Sequence, residues 1–374
     1  MIKKIGILTL VSADNCGSLL QAYALLYAFR SICQVDAELI NFWPPQARKL
    51  YRTFHPSVIK RPKSLWRTIY FWKALKNQSK MYEEFRYKEL KLVDKKILNK
   101  GSLNKYLSNF KAVVVGSDQV WNVRMFDFDP AYFLSDCTCR KFAYAASLGG
   151  NEKEEAPAAL LSFRTAIEAF DRVSVREPQG KRILDSFCMR DIEVCIDPTL
   201  IIPEKEWNRL GGNRLVNEDY VFYYSYNYSD KVLCKLVQDC AHQYKLPVYV
   251  INASRWIHHL PGDYGFHFAP LDGPKAFLSL MKHAKYVFVQ SLHGAIFASV
   301  FHTNYWFLNN RETDVIDLRS ENVLRLLGTR HRVLRPNNYK DMDIKAPCDY
   351  LGNEKLEEER AKSIAYLHQI VFSL

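Results

Sequence analysis

Short apolar runs alternate with helix-like segments along most of this chain. Six runs in the first 200 residues have the length and β-branched character of strands: Ile5 to Leu10, Ala37 to Phe42, Ala112 to Val115, Phe142 to Ala146, Arg172 to Val175 and Val194 to Ile196. Four more follow a polar stretch at 211–213: Tyr220 to Tyr226, Pro247 to Ile251, Lys285 to Val289 and Asn304 to Leu308. Strands that alternate with helices predict parallel α/β sheets, here in two domains.

The polar stretch separates the two predicted domains. We expect an N-terminal Rossmann-like domain over residues 1–210 and a C-terminal one over residues 215–345. The last segment, 353–374, begins with acidic residues and then carries Ile364, Leu367 and Ile370 at helical spacing. This pattern predicts one amphipathic helix docked on the body of the protein.

Composition agrees with two folded domains. The chain has 374 residues, of which 48% are hydrophobic and 25% charged, enough to bury a core in each domain. It has no apolar run of membrane-spanning length and no signal-peptide pattern at its start. The nine cysteines are scattered and form no CxxC pair, which disfavours a zinc site or a disulfide framework. We therefore expect a cytoplasmic protein with reduced thiols.

The formal net charge of +12 is concentrated in one segment. Residues 44–100 contain 16 Lys or Arg against 4 Asp or Glu, which equals the surplus of the whole chain. A uniformly basic protein would indicate nucleic acid, whereas a local surplus does not, and we expect no nucleic-acid partner.

The same basic segment is rich in aromatic residues. As a helix, residues 60–76 would align Leu65, Ile69, Trp72 and Lys76, with Trp66 and Tyr70 beside them. This pattern is typical of peripheral contact with an anionic membrane, here at its inner face. A solvated helical insertion whose aromatic side chains pack on the first domain explains the segment equally well.

Candidate chemistry follows the strands, because ligands of open parallel sheets bind outside the carboxyl ends of the strands. After the first strand, Asp14 or Asn15 is placed to cap a helix whose free amides would suit an anion, and Gly17 supplies the turn. The alternative is that these residues serve only as caps and a turn.

A buried run at 112–115 gives way abruptly to polar residues. Ser117, Asp118 and Asn122 follow this strand, together with Trp121. An Asp here can act as a base or orient a sugar hydroxyl, and a Trp offers a face for a sugar ring. The structural alternative is that Asp118 caps a helix and Trp121 fills the domain cleft. Ser147 lies in a small-residue turn, for which a plain turn is the favoured interpretation.

Two further strand ends carry charged residues. Arg176 can grip a carboxylate or phosphate, with Glu177 holding it in place, or the two form only a surface pair. Asp197 places a carboxylate after the next strand, although Asp-Pro-Thr is also an ordinary turn.

The second half contains one strand-turn-helix with an anion-binding character. His293 lies at the helix entrance, Gly294 would let the backbone approach an anion, and Ser291 adds a hydroxyl. The alternative is a core histidine that holds the strand to its helix.

Taken together and in order, these motifs resemble those of the polysaccharide pyruvyl transferase family. The resemblance spans residues 5 to about 308 and rests on five motifs: Asn15 to Leu25, Val115 to Asn122, Ser174 to Glu177, Asp197 to Thr199 and Ser291 to Gly294. Ser291 stands where better-understood members tend to have an Arg, and Cys16 where an aromatic residue is more common.

The resemblance implies both a fold and an activity. The fold would be two Rossmann-like domains facing a cleft, similar to B-type glycosyltransferases, with the second domain on the donor side. The activity would be transfer of pyruvate from phosphoenolpyruvate, as a ketal, onto two hydroxyls of a capsule, exopolysaccharide or cell-wall glycan precursor. A lipid-pyrophosphate-linked acceptor would bring the enzyme to the membrane.

Ketal formation from phosphoenolpyruvate assigns roles to these residues. It needs an acid for the methylene carbon, a base for the attacking hydroxyl, and cations for the carboxylate and the departing phosphate. Arg176 and His293 are the candidate cations, Asp118 is the candidate base, and Asp14 is an alternative for orienting a sugar hydroxyl. Because Arg and His can carry the charge, we expect no metal and no cofactor.

Two alternative functions, each from a different class of protein, stay open. A nucleotide-sugar glycosyltransferase would share the architecture, although the second domain shows no glycine-rich diphosphate loop. A non-catalytic glycan- or anion-binding protein would bind without turnover.

Overall fold

A computed structural model describes residues 4–51, 69, 71–150, 156–256, 260–350 and 354–374. Its first sheet has six parallel strands in the order β2-β1-β3-β4-β5-β6. These strands are Ile5–Leu8 (β1), Ala37–Leu39 (β2), Ala112–Val115 (β3), Arg140–Ala146 (β4), Arg172–Val175 (β5) and Ile192–Val194 (β6). The order reverses between β1 and β3, so the switch point of the first sheet lies there.

The second sheet also has six parallel strands, in the order β9-β8-β7-β10-β11-β12. These strands are Val221–Tyr224 (β7), Val248–Val250 (β8), Phe266–Phe268 (β9), Tyr286–Val289 (β10), Tyr305–Leu308 (β11) and Val333–Leu334 (β12). This is the Rossmann order, with its switch point between β7 and β10. All ten predicted strands are present, whereas β9 and β12 were not predicted.

Helices connect the strands, as parallel pairing requires. The α-helices of the described residues are Cys16–Tyr27 (α1), Pro45–Leu50 (α2), Trp72–Lys88 (α3), Lys100–Leu107 (α4), Ala158–Leu161 (α5), Arg164–Glu168 (α6), Pro178–Asp185 (α7), Glu204–Gly211 (α8), Lys231–Tyr244 (α9), Gly273–His283 (α10), Leu292–Val300 (α11), Leu318–Leu326 (α12) and Glu354–Phe372 (α13).

The chain divides into two compact units. Unit 1 comprises residues 1–52, 86–202 and 354–374, and unit 2 comprises residues 53–85 and 203–353. The first unit thus ends before α8, earlier than the expected boundary at 210. The basic segment, expected as an insertion of the first domain over about 44–100, is divided between the units: its described residues 71–85 belong to unit 2 and residues 86–100 to unit 1.

The core of unit 1 is formed by the apolar faces of its sheet and by helices on it. All four residues of β1 and of β3 are buried, and so is nearly every residue of α1, which explains why that helix is apolar all round. The C-terminal helix α13 docks here: Tyr366 Oη donates to the Ala143 carbonyl at 2.8 Å, and the Ile196 amide donates to Ser363 Oγ at 3.0 Å.

The described residues 71–85 of the basic segment belong to unit 2. Phe71 is buried and meets Phe268 edge-on, with ring centroids 5.5 Å apart. The expectation that the aromatic residues pack on the first domain is therefore wrong for Phe71. Trp72 is 51% exposed. The predicted helical alignment stays untested, because Leu65, Trp66 and Tyr70 lie outside the described residues.

The cysteines differ from expectation at one place. Cys137 and Cys139 form a disulfide, a pair that their CxC spacing did not suggest, so the expectation of reduced thiols is wrong for these two. The other seven cysteines form no disulfide. Among the helices in the described ranges, none combines the length and apolar character needed to cross a membrane.

Candidate functional site

A hydrogen bond between Ser18 and Asp118 lies at the switch point of the first sheet. The Ser18 hydroxyl, in the first turn of α1, donates to Asp118 Oδ2 at 2.6 Å. Beside it, the Thr9 hydroxyl donates to the Ser117 carbonyl at 3.2 Å, and Gln21 Nε2 donates to Thr9 Oγ1 at 2.9 Å. These bonds join the loops after β1 and β3, where ligands of parallel sheets bind.

The chain turns sharply as it leaves β3, and this turn sets the backbone conformation of Asp118. Gly116 has a φ of 113°, and a Cβ there would lie 2.2 Å from the Tyr144 carbonyl oxygen, so only glycine fits. Asp118 itself has a φ of 68°, which is uncommon for a residue with a side chain. Its Oδ1 accepts the Gln119 amide at 2.9 Å. A hydroxyl and an amide thus hold the carboxylate, and the residue is 6% exposed.

A continuous run of hydrogen bonds leads from Asp118 along the carboxyl edge of the sheet. The Asp118 carbonyl accepts the Ser147 amide at 2.9 Å, and Ser147 Oγ donates to Glu177 Oε1 at 2.9 Å. The same Glu177 oxygen accepts from Arg176 Nε at 2.8 Å, and Arg176 Nη1 donates to Asp197 Oδ2 at 2.9 Å. The loops after β3, β4, β5 and β6 are therefore linked in the order of the strands.

Arg176 is a buried ion-pair partner in this run. Its side chain is 4% exposed, and the two carboxylates it contacts, on Glu177 and Asp197, are equally inaccessible. Burial disfavours the charged guanidinium, but these carboxylates outweigh burial and raise the pKa of Arg176 above its ordinary value. Protein carboxylates therefore already neutralise Arg176, and its role as a cation for a donor stays a prediction. Its pair with Glu177 is not a surface pair.

Asp197 serves two partners inside the protein. Its Oδ1 accepts the Thr199 amide at 3.0 Å and the Thr199 hydroxyl at 2.7 Å, while Oδ2 accepts from Arg176. The predicted turn is therefore present, and its carboxylate orients Arg176 rather than facing solvent.

Trp121 lies in the core of unit 1. It is fully buried, its ring stacks on Phe133 and meets Phe170 edge-on, and its Nε1 donates to the Tyr132 carbonyl at 3.1 Å. The predicted sugar-binding face is therefore corrected to a core contact. Asn122 is half-buried, and its Nδ2 donates to Gln119 Oε1 at 2.9 Å.

The loop before α1 is held by its own cap and by Arg86. Asn15 caps the helix, as predicted, because its Oδ1 accepts the Ser18 amide at 3.2 Å. Asp14 is not the cap: its Oδ1 accepts from Arg86 Nη2 at 2.6 Å. Gly17 lies within the first turn of α1 and not in a turn before it.

In unit 2, His293 lies half-buried in the first turn of α11. Ser291 is the N-cap, and its Oγ accepts the Gly294 amide at 2.9 Å. A Cβ at Gly294 would lie 2.8 Å from Val289 Cβ, so the packing of α11 on β10 requires glycine here. This packing is a structural reason for glycine, and the close approach of an anion to Gly294 stays a prediction.

The switch point of the second sheet lies beside this helix. The Ser225 hydroxyl, after β7, donates to Gln290 Oε1 at 2.7 Å, and Gln290 directly precedes Ser291. His293 therefore lies in the first turn of a helix at the edge where a Rossmann-type sheet binds its ligand.

Within unit 1 the structure brings together four of the five motifs and Ser147, whereas His293, Ser291 and Gly294 belong to unit 2. Sequence reasoning missed the buried partners Thr9, Ser18 and Gln21, although all lie in or next to the first motif. It also missed Arg86, for which the sequence carries no signal, because 72 residues separate it from Asp14.

The described residues contain no group of three or more His, Cys, Asp or Glu that could hold a metal ion. The sequence does contain an Asp-x-Asp pattern at Asp127 and Asp129. Asp129 caps a short turn through the Ala131 amide at 2.9 Å, and Asp127 accepts from Tyr51 Oη at 3.2 Å.

Solved structures similar to this chain define its class. A UDP-GlcNAc 2-epimerase from Methanocaldococcus jannaschii, solved with UDP-GlcNAc and UDP, is 12% identical with a TM-score of 0.55, over 98% of this chain and 100% of that one. A UDP-N-acetylglucosamine 2-epimerase from Rickettsia bellii is 12% identical with a TM-score of 0.55, over 100% of this chain and 96% of that one. At this identity the likeness shows the fold alone, which is that of the B-type glycosyltransferases.

The family follows from the sequence. The model of the polysaccharide pyruvyl transferase family matches residues 15–312, so the chain belongs to that family. No curated protein matches the sequence.

Proposed function

We propose that this protein transfers pyruvate from phosphoenolpyruvate onto two hydroxyls of a glycan precursor, as a ketal. Membership of the polysaccharide pyruvyl transferase family supports transfer to a polysaccharide precursor. The observation that carries the proposal is the position of Asp118, held by Ser18 and Gln119 at the switch point of the first sheet.

The reaction balances without an oxidant or a cofactor. Two acceptor hydroxyls form C–O bonds to C2 of phosphoenolpyruvate, and the bond from C2 to the phosphate oxygen breaks. One hydroxyl proton is balanced by the proton that converts the methylene carbon to a methyl group, and the other leaves with inorganic phosphate. The reaction causes no net change in the oxidation state of carbon or of phosphorus.

The residues support this chemistry in different ways. The hydrogen bonds from Ser18 and Gln119 fix the Asp118 carboxylate at the ligand edge of the sheet, where we assign it the proton of an attacking hydroxyl. At the start of α11, the positive end of the helix and the imidazole of His293 would together favour a phosphate or carboxylate. The Ser291 hydroxyl accepts the Gly294 amide and keeps its own hydrogen to donate to such an anion. Arg176 acts by positioning Glu177 and Asp197.

Phosphate release is the direct test of the donor. With a glycan acceptor, phosphoenolpyruvate should yield inorganic phosphate, while a panel of nucleotide sugars should yield no nucleotide. Turnover of nucleotide sugars instead would indicate a glycosyltransferase, and binding of glycan without release of either product would indicate a non-catalytic binding protein.

His293 provides the matched variant for this assay. We expect His293→Ala to retain a near-native melting temperature and to lose about tenfold to a hundredfold in turnover, since a hydrogen bond to a charged group is worth about 1.5–3 kcal/mol. His283 is half-buried in the same unit, at the end of α10, and His283→Ala is the control. Unfolding of His293→Ala with a proportionate loss of activity would make His293 a core residue.

We further propose that the acceptor is lipid-pyrophosphate-linked and that the enzyme acts at the inner face of the membrane. The described end of the basic segment exposes Ile69 and Trp72, at 65% and 51%, next to the exposed Lys73 and Lys76. Apolar and cationic side chains in this combination favour an anionic lipid surface.

Liposome flotation tests this membrane contact. Binding should rise with the anionic lipid fraction, fall with salt, and weaken in Trp72→Ser. Phe126→Ser removes a 66% exposed aromatic residue elsewhere and should leave binding unchanged. Binding that ignores lipid charge and salt would contradict the proposal.

A further inference from the structure

Arg86 makes four polar contacts with one loop of unit 1, residues 11–14. It lies near the end of α3 and is 2% exposed. Its Nε donates to the Val11 carbonyl at 2.8 Å, and its Nη2 contacts the carbonyls of Ser12 and Ala13 at 3.2 and 2.9 Å. The same Nη2 donates to Asp14 Oδ1 at 2.6 Å.

Three consecutive carbonyls turned toward one point are an unusual backbone arrangement. Partial negative charges that converge in a buried place need a cation or several donors to offset them. A guanidinium supplies five N–H groups in a planar fork, whereas a lysine ammonium supplies three from a single atom. The ring of Trp43 packs against one face of the Arg86 guanidinium, with its centroid 5.1 Å from the guanidinium carbon.

The clamped loop leads directly to the switch point. After Asp14 the chain continues to Asn15, whose side chain caps α1 through the Ser18 amide, and the Ser18 hydroxyl holds Asp118. A shift of the loop would therefore move both Asp14 and the hydrogen bond on Asp118.

We propose that Arg86 is a positioning residue that holds the loop of residues 11–14 in the geometry needed for substrate. It touches no reacting atom itself. It acts through the orientation of Asp14 and, by way of Asn15 and Ser18, through that of Asp118. The inference rests on the proposed function for its catalytic consequence, but the holding of the loop is measurable without turnover.

Arg332 is a matched control in unit 2. It is also 2% exposed, donates to the Tyr305 and Ala346 carbonyls at 3.0 and 3.1 Å, and lies 3.7 Å from the centroid of Trp306. Because Tyr305 begins β11, Arg332 lies at the amino edge of its sheet, away from the carboxyl ends where ligands bind. Removing it should cost stability without affecting the loop of residues 11–14.

The experiment compares Arg86→Lys with Arg332→Lys in the full chain. Amide hydrogen exchange of residues 11–18 should accelerate at least tenfold in Arg86→Lys and stay unchanged in Arg332→Lys. In the same preparations, kcat/KM should fall about tenfold to a hundredfold in Arg86→Lys, as expected for losing hydrogen bonds between charged groups, and no more than about threefold in the control. Asp14→Asn, which keeps the three carbonyl contacts, should raise the acceptor KM while exchange stays near wild type.

The results separate the two claims. If amide hydrogen exchange of residues 11–18 is unchanged in Arg86→Lys, Arg86 does not hold the loop and the proposal is overturned. An equal loss of kcat/KM in the two lysine variants overturns it as well. A wild-type protein that transfers no pyruvate overturns the proposed function, while accelerated exchange in Arg86→Lys alone still supports the holding of the loop by Arg86.

Discussion

The indole of Trp121 stacks on the ring of Phe133, with centroids 5.4 Å apart and an interplanar angle of 9°. The stack lies inside unit 1, three residues after Asp118 along the chain. Trp121, which the sequence assigns to sugar binding, is therefore a core residue close in sequence to Asp118.

Substitutions at Trp121 should act on stability first. We expect Trp121→Ala to lower the free energy of unfolding by about 3–5 kcal/mol, because it leaves a large cavity, and Trp121→Phe to cost less. The acceptor KM of Trp121→Phe should match wild type. Denaturant unfolding and steady-state kinetics measure both, and a strongly raised acceptor KM in a stable Trp121→Phe protein would restore the sugar-binding role.

Asp118 and Ser18 should act together in turnover. Loss of a general base typically costs a hundredfold or more, so we expect Asp118→Asn to reduce kcat by about that factor with a small change in melting temperature. Ser18→Ala should lose about tenfold, since it removes one hydrogen bond to the carboxylate. In the double variant the losses should not add, because Ser18 acts through Asp118. Additive losses would show that the two residues act independently.

Breaking the buried ion pairs of Arg176 should strongly lower the free energy of unfolding. Removing one partner of a buried ion pair leaves an uncompensated charge, so Arg176→Met should cost about 3–5 kcal/mol of unfolding free energy. Arg140 offers a control, since its pair with Asp171 is 42% exposed on the arginine side, and Arg140→Met should cost at most about 1 kcal/mol. If Arg176→Met proves as stable as Arg140→Met and loses only donor binding, then Arg176 contacts the donor after all.

Asp127 gives a pH-dependent prediction. Burial raises the pKa of its carboxyl above the ordinary value, and the hydrogen bond from Tyr51 offsets this only in part. A raised folded-state pKa means that the folded protein prefers the protonated form, so stability is lost as pH rises from the unfolded-state pKa through the folded one. Asp127→Asn should therefore melt higher than wild type at pH 7, with the gain shrinking toward about pH 4.

Asp136 should behave in the opposite way. Its exposed carboxylate is bound by Lys100, which lowers its pKa, so Asp136→Asn should not stabilise the protein at pH 7. Melting curves of both variants across this pH range test the assignment. A gain for Asp127→Asn that grows as pH falls would refute it.

The strand pattern could be predicted from sequence because the buried strands are nearly continuous apolar runs. The strand β12 escaped because it has only two residues, and β9 because His267 interrupts its three residues, so that no apolar run stands out. The edge of the sheet where ligands bind could be predicted too, because polar residues directly follow the apolar runs that form the strands.

The partners of the site residues could not be predicted in the same way. Glu177 is adjacent to Arg176 in sequence, and its pairing was foreseen. Asp197 and Arg86 reach their partners only through tertiary packing, from another strand end and from a distant helix. The exposure of Trp121 was misjudged for the same reason, because a strand-end position does not reveal which way a side chain turns.

Transfer of labelled carbon tests the central claim most directly. Phosphoenolpyruvate labelled with ¹³C at C2 should be incubated with the protein and glycan acceptors from its native pathway, and the products should be examined by mass spectrometry and ¹³C NMR. We predict an acceptor that gains one labelled pyruvate, with a quaternary ketal carbon and one inorganic phosphate released per transfer. Acceptors that never gain the label, although the protein is folded, would contradict the account.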